Sequence, residues 1–446
     1  MRKPDVTVAV LGAGPAGLIA ARALATSGLD VVLVDGGTPP GRHFLESFPA
    51  SGAPLAEDIG ILALLCAASD GPAASMHLSW RDVPENRRYE GEGPLLVDRN
   101  AMHVALHQEA IRAGCRIMSA RVRSVRTDLA GVEVTLDAGR LTANLVLDAR
   151  GRVARHHSGD DLVALPFQAA APVPPHRMFL EAQEDGWLWA ASTANDTLHG
   201  AVFVPSRRLA GIAADDRHQL MAALVSEMSL VSEVRHQQAG RPVAAGFSAV
   251  ADPLVTPRHI LIGDAAIARD PIASHGVVHA MRSGVQSAIA ARTILDEYGD
   301  GRAARAFLRH KHEQTVLAAR LATDAAYTDQ SLHDTAFWQE RRRKEARPAP
   351  IAFTKEDLVS AQLTRAPVLH EDGIRWAPAI SLPSKADFFI SHGTVTAVDV
   401  AAATRPAASL ETIAMRLARS HDIRCVAEVI DQLCAGGAFA QASVAA

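Results

Sequence analysis

The sequence predicts an α/β fold with three parts: a Rossmann-like dinucleotide-binding domain, an antiparallel-sheet domain inserted within it, and a small C-terminal winged-helix-like domain. A strand, a glycine-rich turn and an alanine-rich helix open the chain at residues 6–26. Short strand-like segments follow between residues 177 and 205. Near the C-terminus, the charged, proline-broken stretch "RRRKEARPAPIAF" precedes two amphipathic helices and marks a domain boundary.

These signals set the boundaries that we expect. Residues 1–155 form the first part of the dinucleotide-binding domain, with a substrate-side segment at about 43–95. Residues 156–255 form the substrate domain, and residues 256–346 complete the first domain and add long helices. Residues 347–446 form the C-terminal domain.

The composition argues against several classes of partner. The 446 residues carry a formal net charge of −4, with 48% hydrophobic and 21% charged residues, which does not suit a surface for nucleic acid or for an anionic membrane. No apolar run reaches the roughly 18 residues that a membrane span needs. The four cysteines form no CxxC pair and no metal-ligand spacing, so we expect reduced thiols, no bound metal and a cytoplasmic location.

The N-terminal turn has the spacing of a dinucleotide-binding βαβ unit. In "VTVAVLGAGPAG", Gly12 permits a tight turn, Gly14 lets the backbone approach a pyrophosphate, and Gly17 lets the helix pack closely on the strand. The second strand, "DVVLVD", ends at Asp35, where a carboxylate can accept hydrogen bonds from an adenosine ribose. The residues that we expect to bind the dinucleotide here are Gly12, Gly14, Pro15, Ala16, Gly17, Asp35 and Gly36.

Three later stretches narrow the choice of dinucleotide. Residues 95–117 predict an extended segment and then a helix that ends at Gly114. Residues 143–155, "ANLVLDARGRVAR", predict a buried strand that runs into a charged turn. Another buried strand, in "PRHILIGDAA", is predicted to end at Asp264. It leads into "GDAAIARDPIASHG" (263–276), which has more glycine, proline and charge than a folding turn requires.

With these motifs in this order, roughly residues 5–325 resemble the FAD-dependent monooxygenase superfamily that includes the aromatic hydroxylases and the tryptophan halogenases. The resemblance implies a GR2-type FAD-binding domain, FAD as the cofactor, NAD(P)H as the reductant and O2 as a co-substrate. It also implies that oxygen adds at the flavin C4a and that the distal oxygen of the hydroperoxide transfers to an electron-rich aromatic carbon. The flavin carries this chemistry, while the protein orients the ring and excludes water.

The resemblance further implies roles in the flavin half of the site. Asp264 would bind the ribityl chain, Arg99 would approach the pyrophosphate or ribose, and Pro271 would lie near the reactive edge of the isoalloxazine. A helix beginning near residue 276 would direct the N–H groups of Gly276 and Val277 at the flavin N1/O2 edge, because a helix N-terminus stabilises the anionic reduced flavin. The other FAD-binding residues that the resemblance implies are Arg42, Val122 and Gly263.

A base that removes a proton from a phenol or an indole N–H would assist hydroxylation. His275, His279 and His43 are the candidates near the predicted flavin, and we favour His275 because relatives often carry Gln or Ser at this position. A hydrogen bond to the local backbone is the alternative role of His275. Asp270 is either a site acid or a helix-capping charge. We take His275, Asp270 and Pro271 as the catalytic residues, with His43 also available to a substrate.

Two tryptophans in "DGWLWAAS" lie in the predicted substrate domain. Trp187 and Trp189 are two positions apart, so they project from the same face of a strand. They either form an aromatic wall on which a planar substrate stacks or pack beneath the sheet, and the sequence leaves both roles open. In the first case, a polypeptide substrate would need a wide cleft beside Trp187.

Two features separate this chain from the halogenases, which carry a WxWxIP motif and a lysine near position 80. Trp187 and Trp189 match the first half of the motif, but Ala191 and Ser192 replace its Ile-Pro. No lysine occurs between Lys3 and Lys311, and the planar guanidinium of an arginine does not replace the missing amine. We therefore expect hydroxylation and not halogenation.

The C-terminal residues predict a docking module for a protein or peptide. The segments "SLETIAMRLARS" and "DIRCVAEVIDQLCAGG" form two helices in the outline of a winged helix, with Asp422 as an N-cap and Gly436 as a C-terminal stop. From residue 356 onward, ten acidic residues outnumber seven Lys and Arg. A DNA-reading domain is basic, so we expect no nucleic-acid partner.

A halogenase-like flavoprotein that lacks the lysine and carries this appendage resembles the flavoprotein monooxygenases that help to build tryptophylquinone cofactors, in particular in the quinohemoprotein amine dehydrogenase pathway. The resemblance implies hydroxylation of a tryptophan side chain inside a partner polypeptide, in the cytoplasm. Hydroxylation of a free small aromatic metabolite is the alternative. A halogenase, an alkene reductase and a flavin sensor rank lower.

Overall fold

The computed structural model describes residues 4–37, 45–90, 93–128, 131–154, 161–213, 216–231, 234–250, 254–342, 363–370, 372–382, 387–405 and 409–436. Helices in these ranges are α1 (Pro15–Thr26), α2 (Ala53–Asp58), α3 (Leu62–Ala67), α4 (Arg99–Arg112), α5 (Arg217–Ser226), α6 (Gly276–Leu295), α7 (Gly301–Asp329), α8 (Ala336–Arg341), α9 (Ala397–Ala403), α10 (Leu410–Leu417) and α11 (Ile423–Ala435).

The strands that the same ranges contain are β1 (Val6–Leu11), β2 (Val31–Asp35), β3 (Leu45–Phe48), β4 (Ser69–Pro72), β5 (Ser75–Ser79), β6 (Glu85–Arg88), β7 (Leu95–Asp98), β8 (Arg116–Ser119), β9 (Val122–Thr127), β10 (Val132–Leu136), β11 (Gly139–Asp148), β12 (Leu162–Ala170), β13 (Arg177–Gln183), β14 (Gly186–Ser192), β15 (Thr197–Pro205), β16 (Arg235–Ala239), β17 (Val243–Ala244), β18 (Ser248–Ala249), β19 (His259–Leu261), β20 (Ile267–Ala268), β21 (Leu363–His370), β22 (Gly373–Leu382), β23 (Asp387–Phe389), β24 (Ser391–His392) and β25 (Val395–Thr396).

The first sheet has the strand order β8-β2-β1-β11-β10-β9, with β19 also paired to β11. β1 runs parallel to both β2 and β11. These central strands are almost continuously apolar and buried because protein covers both faces of the sheet. This parallel core directs the carboxyl ends of β1, β2 and β11 to one edge, where ligands bind in doubly wound folds.

The second sheet has the order β16-β12-β15-β14-β13-β5-β6, with β17 also paired to β12. Its strands β5 and β6 come from the segment at 43–95, and β5 runs parallel to β13. One face packs on α5 through a buried cluster that includes Phe167, Phe179 and Leu224. The opposite face carries Trp187 and packs against aromatic residues that follow position 326. The antiparallel-sheet domain predicted from the sequence is therefore present.

The chain divides into two compact units, residues 1–289 with 315–343, and residues 290–314 with 344–446. Our sequence boundary placed all of 256–346 in the first domain, whereas residues 290–314 pack with the second unit. Of the long helices expected in residues 256–346, α7 ends at Asp329, and six residues separate it from α8, which follows its N-cap Thr335. Among the described residues, no helix combines the length and hydropathy of a membrane span.

The second unit contains the antiparallel sheet β21-β22-β23, the hairpin β24-β25 and three short helices around one buried cluster. Asp422 caps α11, since its carboxylate accepts from the N–H groups of Arg424 and Cys425, and Gly436 follows the last turn. α9 was not among the predicted helices. Thr396 and Asp399 form a reciprocal capping box at its start, so the segment "TAVD" carried the missed signal.

Candidate functional site

The turn between β1 and α1 requires glycine at two positions. Gly12 has a φ of 103°, and a Cβ there would lie 2.6 Å from the carbonyl oxygen of Ala149. A Cβ on Gly17 would lie 2.0 Å from the carbonyl oxygen of Gly12, so the helix touches the turn. A Cβ on Gly14, in contrast, would meet no described atom within 4 Å. The turn therefore has a crowded inner side and an open outer side.

The open side lies in front of a helix N-terminus. α1 starts at Pro15, directly after its N-cap Gly14, which has no side chain to cap the first turn. The first N–H groups and the positive end of the helix dipole are therefore available to an anion. Space and donors together fit a pyrophosphate, so this turn can hold the diphosphate of FAD.

The expected ribose carboxylate lies at the end of β2. Asp35 is half-buried, and its Oδ1 accepts a hydrogen bond of 2.9 Å from the N–H of Gly37. Gly36 is exposed beside the turn between β8 and β9, because a Cβ on it would lie 3.8 Å from the carbonyl oxygen of Ala120. Val122, at the start of β9, is half-buried. These predicted cofactor-binding residues thus occupy one edge of the first sheet.

His103 on α4 is a site residue that the sequence analysis missed. Burial lowers the pKa of its imidazole, while the charge of Asp35 and a hydrogen bond to the backbone of Ala13 oppose that change. His103 therefore lies between the nucleotide turn and Asp35. Its spacing of four residues from Arg99 places both side chains on one face of α4, which is the signal that could have identified it.

The surroundings of Asp264 indicate a recess in the protein surface. Asp264 is accessible to water, yet desolvation by the surrounding protein raises the pKa of its carboxyl group, against the opposing charges of Arg152 and Arg99. Accessibility together with desolvation is typical of a carboxylate that lines a deep cleft. Nη1 of Arg99 is 2.9 Å from Oε1 of Glu46 on β3, so a carboxylate holds the predicted pyrophosphate-side cation beside this cleft.

The two glycine motifs of the sequence meet in space. β19 ends at Leu261, not at Asp264 as predicted, because a tight turn over Gly263–Ala265 follows it. Gly263 has a φ of 56°, and a Cβ there would lie 2.6 Å from the Cβ of Ala16 on α1. Its N–H donates to the hydroxyl of Ser283 on α6 at 2.9 Å. One ligand can therefore touch both motifs.

The segment between β20 and α6 holds the predicted catalytic residues, but it buries one of them. Asp270 is only 1% exposed; its Oδ1 accepts from the N–H of Ile272 at 3.0 Å, and its Oδ2 accepts from the hydroxyl of Tyr327 at 3.0 Å. This removes Asp270 from direct contact with a substrate and favours the capping role. Pro271 is exposed, as a residue near a bound flavin would be.

His275 lies immediately before α6 and is exposed. Its Nδ1 hydrogen-bonds to the carbonyl oxygen of Ala273, and Ser274 between them has a φ of 48°. In the neutral ring, Nδ1 carries the donated proton, so Nε2 is the basic nitrogen. The local backbone bond and the role of base are therefore compatible. Beside it, Gly276 is exposed, and a Cβ on it would meet no described atom within 4 Å, while Val277 is half-buried.

The two tryptophans of β14 differ in accessibility. Trp187 is 1% exposed, its ring stacks on Phe203 with centroids 3.8 Å apart, and its Nε1 donates to the hydroxyl of Tyr327 at 3.3 Å. Its prediction as a substrate contact, with a cleft beside it, is therefore wrong, because the ring has no free surface. Trp189 is half-buried and keeps part of its side chain accessible.

Trp189 lies between the two halves of the site. It packs against the buried cluster around Tyr327, against which Ile272 of the segment before α6 also packs, and against a second cluster that includes Leu45 of β3. Met76 and Tyr89 also pack on the second cluster, and both are half-buried. The strand register puts Met76 on the same sheet face as Trp189. Trp189, Met76 and Tyr89, two aromatic rings and a thioether, thus form a partly open wall on this cluster.

Two predicted residues, Arg42 and His43, lie outside the described ranges. Within those ranges, no group of His, Cys, Asp or Glu has the arrangement of a metal site.

At the end of β11, burial of Asp148 disfavours its ionised form and acts to raise the pKa of the carboxyl group. Hydrogen bonds from Arg150 and His259 outweigh this effect and lower that pKa to about 2. This ion pair supports the turn that faces Gly12.

Comparison with known proteins shows which class of protein has this fold and this site. The tryptophan halogenase family matches residues 95–368, and a lycopene cyclase protein family matches residues 7–171. A tryptophan 2-halogenase of Chondromyces crocatus is 22% identical over 373 residues, which cover 76% of this chain and 71% of that protein.

Two solved structures are similar over nearly the whole chain. The peptidyl tryptophan dihydroxylase QhpG, described as essential for tryptophylquinone cofactor biogenesis, has a TM-score of 0.76 at 23% identity and covers 98% of this chain and 100% of its own. CmlS, a flavin-dependent halogenase, has a TM-score of 0.75 at 16% identity and covers 98% and 96%.

The chain belongs to the tryptophan halogenase family. Its fold is that of the FAD-dependent halogenases and monooxygenases, and its class is that of FAD-dependent oxidative enzymes. The resemblance inferred from the sequence is therefore confirmed at the level of the superfamily.

Proposed function

We propose that this chain is an NAD(P)H-dependent FAD monooxygenase that hydroxylates a tryptophan side chain in a partner polypeptide, in the cytoplasm, during the biogenesis of a tryptophylquinone cofactor. Family membership supplies the flavin and the oxidative chemistry. To this we add that the reaction is a hydroxylation, that NAD(P)H is the reductant, that the substrate is a polypeptide and that the protein acts in the cytoplasm.

The observation that carries the proposal is the absence of lysine from residues 4–310. The halogenase reaction, as the sequence resemblance describes it, uses a lysine amine in the substrate half of the fold. Arginine keeps its charge and its planar geometry, so it does not take over that role. QhpG and CmlS match the fold almost equally, so the proposal of hydroxylation over halogenation is supported by this chemical difference and not by the fold.

The residues of the site have complementary roles in this reaction. When FAD is bound, it supplies the activation of O2 and the transfer of an oxygen atom. The turn at Gly14 and the cleft at Asp264 bind the cofactor, and the N–H groups that begin α6 stabilise negative charge at its edge. Trp189 orients the aromatic ring, and Nε2 of His275 accepts the proton that the ring releases.

A polypeptide substrate also needs a docking surface, and we assign this role to the second unit. The acidic excess of residues 356–446 supports binding of a protein and not of a nucleic acid. The partly open wall at Trp189 supports entry of a ring that remains attached to a chain. The fold similarity to QhpG over the full length agrees with both roles.

The test uses the FAD-loaded, full-length protein with NAD(P)H under oxygen-18, offered tryptophan-bearing peptides, free tryptophan and free indoles in parallel. Mass spectrometry is expected to show oxygen-18 in the peptides alone. Label in a free aromatic would instead assign a metabolite hydroxylase, and a halogenated product in the presence of bromide would assign a halogenase. NAD(P)H-dependent saturation of an alkene without oxygen would assign a reductase. A chain that takes up no flavin after unfolding and reconstitution would remove the proposal altogether.

A further inference from the structure

A chain of buried hydrogen bonds connects the second sheet to the segment Asp270–Gly276, which we call the catalytic segment. Nε1 of Trp187 donates to the hydroxyl of Tyr327 at 3.3 Å, and that hydroxyl donates to Oδ2 of Asp270 at 3.0 Å. Oδ1 of Asp270 then accepts from the N–H of Ile272 at 3.0 Å. Each of the three side chains is 1% exposed.

The direction of this chain is fixed by the chemistry of its members. An indole N–H can only donate, so the hydroxyl of Tyr327 must accept from Trp187 and use its own proton elsewhere. Burial raises the pKa of the Tyr327 phenol well above its usual value, and the charge of Asp270 acts in the same direction. The phenol therefore keeps its proton and donates it in a hydrogen bond to Asp270.

Packing alone does not explain a tyrosine at position 327. The ring lies among Trp187 and Trp338, where a phenylalanine would fill the same volume, and a buried hydroxyl is unfavourable unless it is hydrogen-bonded. What the hydroxyl adds is a second anchor for Asp270. The catalytic segment needs such anchors because Ser274 has a φ of 48°, a conformation that a residue with a side chain seldom adopts.

We propose that Tyr327 is a positioning residue of the oxidation site. Its hydroxyl, oriented by Trp187, fixes Asp270, and Asp270 in turn holds the catalytic segment in the conformation that presents His275 and the start of α6. The structural part of this inference is independent of the substrate. Its catalytic consequence rests on the proposed function.

Hydrogen–deuterium exchange tests the structural part on the full-length chain, with and without FAD. In Tyr327→Phe and Asp270→Asn, the amides of the catalytic segment are expected to exchange about tenfold faster, since the anchor of the Ile272 N–H is weakened. The double variant is expected to exchange no faster than Asp270→Asn, because both changes break one chain. Tyr298→Phe is the matched control, since Tyr298 is 92% exposed, and its exchange is expected to equal that of the parent chain.

Steady-state kinetics tests the catalytic part. Tyr327→Phe is expected to lower kcat about tenfold and to raise the peroxide released per NAD(P)H, while KM and the affinity for FAD stay within about twofold. A lower kcat with nearly unchanged KM and FAD affinity distinguishes a positioning role from a general loss of structure. If Tyr327→Phe does not fold, Trp187→Phe is the second variant, because it keeps an aromatic side chain and removes the indole donor; a smaller effect in the same direction is expected.

The outcomes separate the two proposals. Faster exchange in the catalytic segment with no hydroxylated product from the parent chain would keep the positioning role and reject the proposed function. Unchanged exchange in the segment together with a lower melting temperature would make Tyr327 a packing residue and overturn the inference. Fully additive effects of Tyr327→Phe and Asp270→Asn would overturn it as well.

Discussion

Trp187 and Trp189 project from one face of β14, two positions apart, yet only Trp189 keeps part of its side chain accessible. Trp187 is sealed by stacking on Phe203 and by its hydrogen bond to Tyr327. Trp189 instead packs on two buried clusters, one against which Ile272 also packs and one that contains Leu45. One indole therefore supports the site, and the other forms its surface.

Substitution is expected to separate these two roles. Trp189→Leu should raise KM for an aromatic substrate about five- to tenfold, because a stacked aromatic pair contributes about 1 kcal/mol beyond its buried area. Trp187→Leu should instead lower the free energy of unfolding by about 3 kcal/mol, because it opens a void and removes the hydrogen bond to the Tyr327 hydroxyl. Urea unfolding and steady-state kinetics on both variants check this. A Trp187→Leu protein with a raised KM and unchanged stability would reverse the assignment.

The open side of the nucleotide turn predicts an effect on the cofactor without an effect on the fold. Gly14 has a φ of −72°, and its Cβ position is empty, so Gly14→Ala should fold normally. The added methyl group would occupy the space in front of α1, and we expect the Kd for FAD to rise about tenfold or more.

Flavin fluorescence during titration of the FAD-free protein measures this affinity, and circular dichroism monitors the fold. Gly17→Ala is the contrasting variant, because its Cβ would meet the carbonyl oxygen of Gly12 at 2.0 Å, so it should lower stability as well as affinity. Unchanged FAD binding in Gly14→Ala would mean that the pyrophosphate lies elsewhere.

Sequence rules predicted correctly those parts of the fold that depend only on residues close together in the chain. The turn at Gly12 and Gly17 and the cap at Asp422 follow from backbone geometry within a few residues, and the structure has both. Strand β13 occupies residues 177–183, within the range 177–205 where short strand-like segments were predicted. Parallel pairing of β1 with β2 follows from the βαβ connection.

The features that the sequence could not supply depend on long-range packing. Tyr327 meets Asp270 and Trp187 across 57 and 140 residues of chain, and no spacing rule connects them. For the same reason, the pattern at β14 could not tell which tryptophan faces the site. His103 is an intermediate case, because its helical spacing from Arg99 was visible but its contact with Ala13 was not.

Removal of the charge of Asp264 and removal of the charge of Asp148 are expected to change the stability of the folded protein in opposite directions. Folding raises the pKa of Asp264 because the ionised carboxylate is unfavourable in the folded protein. The contribution of the protonated carboxyl group to stability is therefore complete at low pH and is lost as the pH rises through the pKa of the folded state. Asp264→Asn should therefore raise the melting temperature of the FAD-free protein at neutral pH and leave it unchanged at acidic pH. The same change should weaken FAD binding, since the carboxylate is expected to accept hydrogen bonds from the ribityl chain.

Folding lowers the pKa of Asp148 to about 2, so its contribution is complete above the unfolded pKa and is lost as the pH falls from about 4 toward 2. Asp148→Asn should lower the free energy of unfolding at neutral pH by roughly 2 kcal/mol. Thermal melts of both variants between acidic and neutral pH provide the measurement. Destabilisation of the FAD-free protein by Asp264→Asn at neutral pH would contradict the cleft that we describe.

The geometry at the start of α6 predicts the identity of the base. Nδ1 of His275 is engaged with the carbonyl of Ala273, which leaves Nε2 to accept a proton, and a protonated ring cannot do so. His275→Gln should therefore lower kcat/KM about 100-fold, measured by steady-state kinetics. Nε2 of the rival His279 is buried, so His279→Gln should leave kcat/KM close to that of the parent chain. A parent-like kcat/KM in His275→Gln would reduce His275 to a local backbone partner, and a comparable loss in His279→Gln would transfer the role of base to that residue.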